Sequence, residues 1–121
     1  MATIFNLTFA ARDPLRLAQF WATALGYEIT QSEANHVRLR AREPGANLLF
    51  LKVDGVVASS AIHLDLAAFD PFQESIRLIE FGATAVDVTS DGLPKQRRAN
   101  GLSWFVLADP EGNEFCVGGE P

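Results

Sequence analysis

The sequence predicts an α+β chain built from two βαβββ modules in a pseudo-twofold arrangement, with mixed sheets curling round a cavity. Three observations predict it. Ala10-Ala11-Arg12-Asp13-Pro14 returns 57 residues later as Ala67-Ala68-Phe69-Asp70-Pro71. Each copy follows a stretch of period-two alternation and opens an apolar-rich segment ending at a glycine, Gly26 or Gly82. Near the end, Asp109-Pro110-Glu111-Gly112 separates two short apolar runs. Self-similarity at a fixed offset is the mark of a repeated structural unit.

The elements follow in chain order. Phe5, Leu7 and Phe9 alternate with Ile4, Asn6 and Thr8, which describes a strand with one oily face. Asp13-Pro14 then supplies an N-cap and a first helical residue that sacrifices no hydrogen bond, and Gly26 ends the segment, so a helix is predicted over 14–25. Strands are predicted near 27–32, 35–41 and 47–53, and a connector over 53–60. The second module repeats the order. Ile62, Leu64 and Leu66 alternate with Ala61, His63 and Asp65, and the same offset sets His63 on Asn6. A helix is predicted over 71–81, with strands near 83–89, 103–108 and 113–118. Asp-Pro-Glu-Gly suits a type I turn, which makes 103–118 a hairpin. Residues 90–102 read as a polar loop carrying Lys95, Arg97 and Arg98. The expected organisation is a single domain over 1–121, with modules of about 1–55 and 58–121.

Composition narrows the function classes. The chain has 121 residues, 48% of them hydrophobic and 21% charged, which describes a globular rather than a disordered sequence. A net charge of −5 argues against nucleic acid as a partner. No apolar run approaches the roughly 20 residues of a membrane helix, and no signal peptide is visible at the N-terminus. The single cysteine, Cys116, forms no intrachain disulfide and suits a reducing compartment, so the cytoplasm is expected.

If the apolar alternates face the helices, the other face of each sheet lines the cavity. That reading places Asn6, Thr8, Arg38, Phe50, His63, Asp65 and Cys116 there, and a one-residue slip would invert any strand. Trp104 and Phe105 straddle the strand after the loop, and the one facing the cavity, taken as Trp104, offers a flat apolar wall. Trp21 on the first helix reads as core.

This arrangement resembles the vicinal-oxygen-chelate superfamily of glyoxalase I, bleomycin-resistance proteins and extradiol dioxygenases. The resemblance is carried by Ala11-Arg12-Asp13-Pro14 with Phe20-Trp21 and Leu25-Gly26-Tyr27, by His63-Leu64-Asp65-Leu66 and Phe81-Gly82-Ala83, and above all by Leu107 to Phe115. It is nearest to small glyoxalase-like domain proteins. Metal-using members place His, Gln or Glu on the first and last strand of each half, and matching motif by motif puts Asn6, Phe50, His63 and Cys116 at those positions. Phenylalanine coordinates nothing, and the carboxylate that glyoxalase chemistry needs for proton transfer is missing. The resemblance therefore implies the fold with a degenerate metal site.

Three functions remain open. The first is a cofactor-free protein that binds a small apolar or aromatic molecule through Asn6, Thr8, Arg38, Phe50, His63, Trp104 and Cys116, as a sequestration or resistance protein would. The second is an enzyme, a lyase, isomerase or dioxygenase type, using His63 with Asp65, or a divalent metal held by His63, Cys116 and Asn6. The third is a partner-binding domain with a vestigial cavity. Arg38 offers a fork for a carboxylate or phosphate, while Cys116 reads as a small, buried and inert thiol. A homodimer is expected, because relatives of this size commonly pair to close their sheets.

Overall fold

The computed structural model describes residues 1, 3–42, 45–55, 62–99 and 101–119. The chain divides into two compact units, Met1–Ala58 and Ser59–Pro121. Most of the connector expected over 53–60 lies outside the described residues.

The first unit runs β1 (Asn6–Ala11), α1 (Pro14–Leu25), β2 (Glu28–Ser32), β3 (His36–Arg40) and β4 (Asn47–Lys52). Its sheet has the order β1-β4-β3-β2, with β1 and β4 parallel and the other pairs antiparallel. Asp13 caps α1 as its sequence position requires, accepting from the Arg16 N–H at 3.2 Å. Gly26 closes the helix in the left-handed region at φ 69°. The buried side of α1 presents Leu17, Ala18, Phe20 and Trp21. Beneath it an aromatic ladder runs from Trp21 to Phe9 at 5.8 Å and from Phe9 to Phe50 at 5.0 Å between ring centres.

The second unit runs β5 (Leu64–Ala67), α2 (Pro71–Glu80), β6 (Thr84–Ala85), β7 (Arg97–Ala99), β8 (Leu102–Ala108) and β9 (Glu114–Gly118). The order is β5-β9-β8-β6, with β7 also paired to β8; β5 and β9 are parallel. Asp70 repeats the capping of Asp13, accepting from the Gln73 N–H at 3.1 Å. Phe105 meets Phe72 of α2 at 5.9 Å, and Leu78, Leu107, Phe115 and Val117 are buried with it. In the β8–β9 turn, Asp109 Oδ1 accepts from the backbone of Glu111 at 2.9 Å and of Asn113 at 3.0 Å. The Gly112 N–H closes the turn onto the Asp109 carbonyl. The two sheets and their helices thus form the mixed α+β architecture that the sequence predicts.

One segment differs from expectation. The strand predicted over 83–89 shrinks to Thr84–Ala85, and the predicted loop of 90–102 contains a strand, β7. Val86–Lys95 fold back on themselves through a turn at Thr89–Gly92, with the Lys95 N–H donating to the Asp87 carbonyl at 2.9 Å. This returns the chain to the free edge of β8. Ala99 then pairs with Leu102, and Gly101 before Leu102 has φ 77°. Asn100-Gly101 is a strong hairpin signal in its own right.

Candidate functional site

Strand pairing fixes which residues share a face, because opposed partners point to the same side of a sheet. In the first unit Phe50 pairs with Phe9 on one side and Val37 on the other, and Phe50 is 0% exposed. This corrects the expected place of Phe50. It belongs to the core under α1 and cannot line a ligand site. The opposite face of β4 carries Leu49, paired with Thr8 on one side and Arg38 on the other. The slip costs the metal argument nothing, since leucine is as unable to coordinate as phenylalanine.

Asn6, Thr8 and Arg38 do share that helix-averted face. Thr8 is exposed, while Asn6 and Arg38 are half-buried. Arg38 Nη1 donates to Asn6 Oδ1 at 3.3 Å. The amide oxygen that would serve as a metal donor is thus already engaged by a guanidinium, whose charge repels a cation. Among the other basic residues of the strand, Arg40 is tied to Glu28 at 2.7 Å, and His36 Nδ1 lies 2.8 Å from Asn35 Oδ1.

In the second unit the helix-averted face brings together Asp65, Cys116, Val106 and Trp104. Asp65 is opposite Cys116, Cys116 is opposite Val106, and Trp104 lies two residues before Val106 on β8. His63, two residues before Asp65, reaches it directly, with Nε2 3.3 Å from Asp65 Oδ1. Donor atoms of His63, Asp65 and Cys116 all lie within 4.8 Å of one another. The side chains of His63 and Asp65 are 52% and 76% exposed, so small molecules and ions reach them. Burial, reinforced by the negative charge of Asp65 and its hydrogen bond to the thiol, pushes the Cys116 thiol up. At neutral pH it is a thiol, and no strong nucleophile. Trp104 is half-buried on the same face as this cluster, whereas its neighbour Phe105 turns to the helix.

Sequence reasoning offered His63, Cys116 and Asn6 as the set for any metal. The structure puts Asp65 beside His63 and Cys116 within the second unit. The signal was present in the alternation of 63–66, which sets His63 and Asp65 on one face, but the choice of donors followed the family positions instead.

A metal is implied by the wider superfamily, so the donors must be judged on their chemistry. The first unit offers an amide oxygen held by Arg38 and a leucine, which do not suit a cation. The second offers imidazole, carboxylate and thiol within reach of one centre, which do. Among the described residues, no helix is long and apolar enough to cross a membrane.

A family model for the glyoxalase-like domain matches residues 6–118. Among solved structures, the chain is similar to a glyoxalase-related enzyme from Fulvimarina pelagi at 14% identity, covering 100% of this chain and 90% of that one with a TM-score of 0.75. A possible glyoxalase from Bacillus cereus is 17% identical, with 98% and 99% coverage and a TM-score of 0.71. A glyoxalase/bleomycin resistance protein/dioxygenase family enzyme from Burkholderia phytofirmans is 16% identical, with 98% of each chain covered and a TM-score of 0.70. No curated protein shows significant sequence similarity to the chain. With the model matched across nearly its full length, the chain belongs to the glyoxalase-like domain family of the vicinal-oxygen-chelate superfamily.

Proposed function

We propose that the chain binds a small, partly aromatic molecule on the helix-averted face of its second sheet, in a sequestration or resistance role. The observation that carries this reading is the placement of Trp104, a flat apolar wall, on the same face as the polar cluster of His63, Asp65 and Cys116. Small-molecule sites combine apolar area with a few orienting polar groups, and this face has both. Asn6, Thr8 and Arg38 give the first sheet a surface suited to a carboxylate or phosphate. The reading requires no metal, because the family's donor positions in the first unit carry Asn6 under Arg38 and an apolar strand. It places the protein in the cytoplasm, where a lone thiol stays reduced. It also takes the protein to be a homodimer, which light scattering of the purified chain measures directly.

The test uses fluorescence. Trp21 is buried, so Trp104 reports on the exposed face. Titration with a panel of planar aromatic acids and amides should quench Trp104, and Trp104→Phe should abolish the change. His63→Ala should weaken binding by about 1–3 kcal/mol, the range for stranding a hydrogen-bonding partner. Quenching that survives both substitutions would remove the site from this face.

A second reading is a lyase, isomerase or dioxygenase-type enzyme. The 3.3 Å approach of His63 to Asp65 favours it, since a carboxylate can orient an imidazole for proton transfer. Turnover of a candidate substrate that persists in His63→Ala would count against it.

A further inference from the structure

Asp65 and Cys116 lie on two neighbouring parallel strands of one unit, and His63 is the residue that leads into the first of them. Asp65 and Cys116 are direct partners across β5 and β9, and His63 precedes Asp65 by two residues. Their donor atoms lie within 4.8 Å of one another. Zinc bonds of about 2.0–2.3 Å to nitrogen, oxygen and sulfur put tetrahedral ligand atoms about 3.3–3.6 Å apart. His63 and Asp65 already meet that separation at 3.3 Å, and the largest gap closes by about 1 Å, within the reach of a rotamer adjustment. The mutual partners are side chains on a half-open face, so nothing in the core has to move.

We propose that these three side chains form a zinc-class metal site held wholly by the second unit, with Asp65 as the third ligand and one coordination position open. His63 and Cys116 occupy strand positions where metal-using relatives place donors; Asp65 does not. It replaces the donors that relatives draw from the first half, where Arg38 and Leu49 now discourage a cation. Imidazole, carboxylate and thiolate together select zinc or cobalt over magnesium and calcium, which prefer oxygen ligands alone. Thiolate and carboxylate also balance the charge of a divalent ion. Of the other charges acting on Cys116, Arg97 is ion-paired with Asp87, and Glu114 adds a negative charge that favours a cation. The open position would accept water or an anionic group of a bound molecule. This inference does not rest on the ligand-binding reading, and the two can fail separately.

The experiment titrates the full-length protein, first treated with chelator, with cobalt(II) and then zinc(II). One cobalt per chain should bind and give the thiolate-to-cobalt charge-transfer absorption of a cysteine ligand, and zinc should displace it. Competition with a chromogenic chelator gives the affinities. Cys116→Ser should abolish the charge-transfer band. Asp65→Asn and His63→Ala should each weaken zinc by roughly 10–100-fold or more, while Asp65→Asn keeps the band. Asn6→Ala should leave the zinc affinity unchanged. Far-UV circular dichroism and urea midpoints establish that each variant is folded. Wild-type protein that binds no cobalt, or binds it without the charge-transfer band, overturns the site. An Asn6→Ala loss equal to that of Asp65→Asn overturns its one-unit character.

Discussion

The register of β4 decides what the first unit can bind, and a pair of adjacent substitutions tests it. Phe50 has no exposed surface, faces Phe9 at 5.0 Å and pairs with Val37 on β3. Truncation to alanine removes a ring from the centre of the aromatic ladder and leaves a cavity beneath α1. Such changes cost about 3–5 kcal/mol, of which the aromatic pairing itself supplies about 0.5–1.5 kcal/mol. For a chain of this size, each kcal/mol moves the melting temperature by about 3–5 °C, so Phe50→Ala should lower it by roughly 10–20 °C. Leu49 is the neighbouring residue on the same strand, half-buried on the opposite face. Leu49→Ala should cost about 1 kcal/mol, as changes outside the packed core do. Urea unfolding followed by far-UV circular dichroism and by the fluorescence of buried Trp21 measures both. A larger loss for Leu49→Ala than for Phe50→Ala would invert the strand. It would return Phe50 to the helix-averted face and refute the core described above.

Two further outcomes follow from local geometry. Asp109 is almost fully buried and accepts from the backbone of Glu111 and Asn113 as well as from the Asn113 side chain. Asp109→Ala should therefore cost about 1–3 kcal/mol by stranding those donors, with faster amide exchange at Asn113 as the local readout. Burial and Asp65 both disfavour the Cys116 thiolate. In metal-free protein, the pH midpoint for alkylation by iodoacetamide should therefore lie above that of an ordinary thiol. Asp65→Asn should move that midpoint down, and an unchanged midpoint would break the link between the two residues.

The helices were legible because their ends are chemically marked: Asp13 and Asp70 cap as their positions demand, and Gly26 closes α1 with a positive φ. The β8–β9 hairpin was legible for the same reason, in Asp109 and Gly112. The faces of the strands were legible only where the two sides differ in polarity. In β9, Phe115 and Val117 alternate with Glu114 and Cys116, and the assignment holds. In β4, Leu48, Leu49, Phe50 and Leu51 are apolar in both phases, so alternation carries no information and the family position misled. β4 lies between β1 and β3, and only the pairing of Phe50 with Phe9 and Val37 resolves it. β7 was hidden because a three-residue strand has too little pattern to read, although Asn100-Gly101 marked its turn.

The repeat itself explains why the two halves now offer different chemistry. Asn6 and His63 stand at equivalent positions, 57 residues apart, Asn6 opening β1 and His63 immediately preceding β5. Asn6 is met by the guanidinium of Arg38, and His63 by the carboxylate of Asp65. The neighbours thus have opposite charge at the same place in the repeat. Around Asn6 the field favours an anion, and the leucines of β4 add apolar surface beside it. Around His63 it favours a cation or a hydrogen-bond donor, with Cys116 adding a soft ligand. Opposite signs set Asn6 beside a cationic group and His63 beside an anionic one, so only the second unit gathers imidazole, carboxylate and thiol donors within 4.8 Å of one another among the described residues.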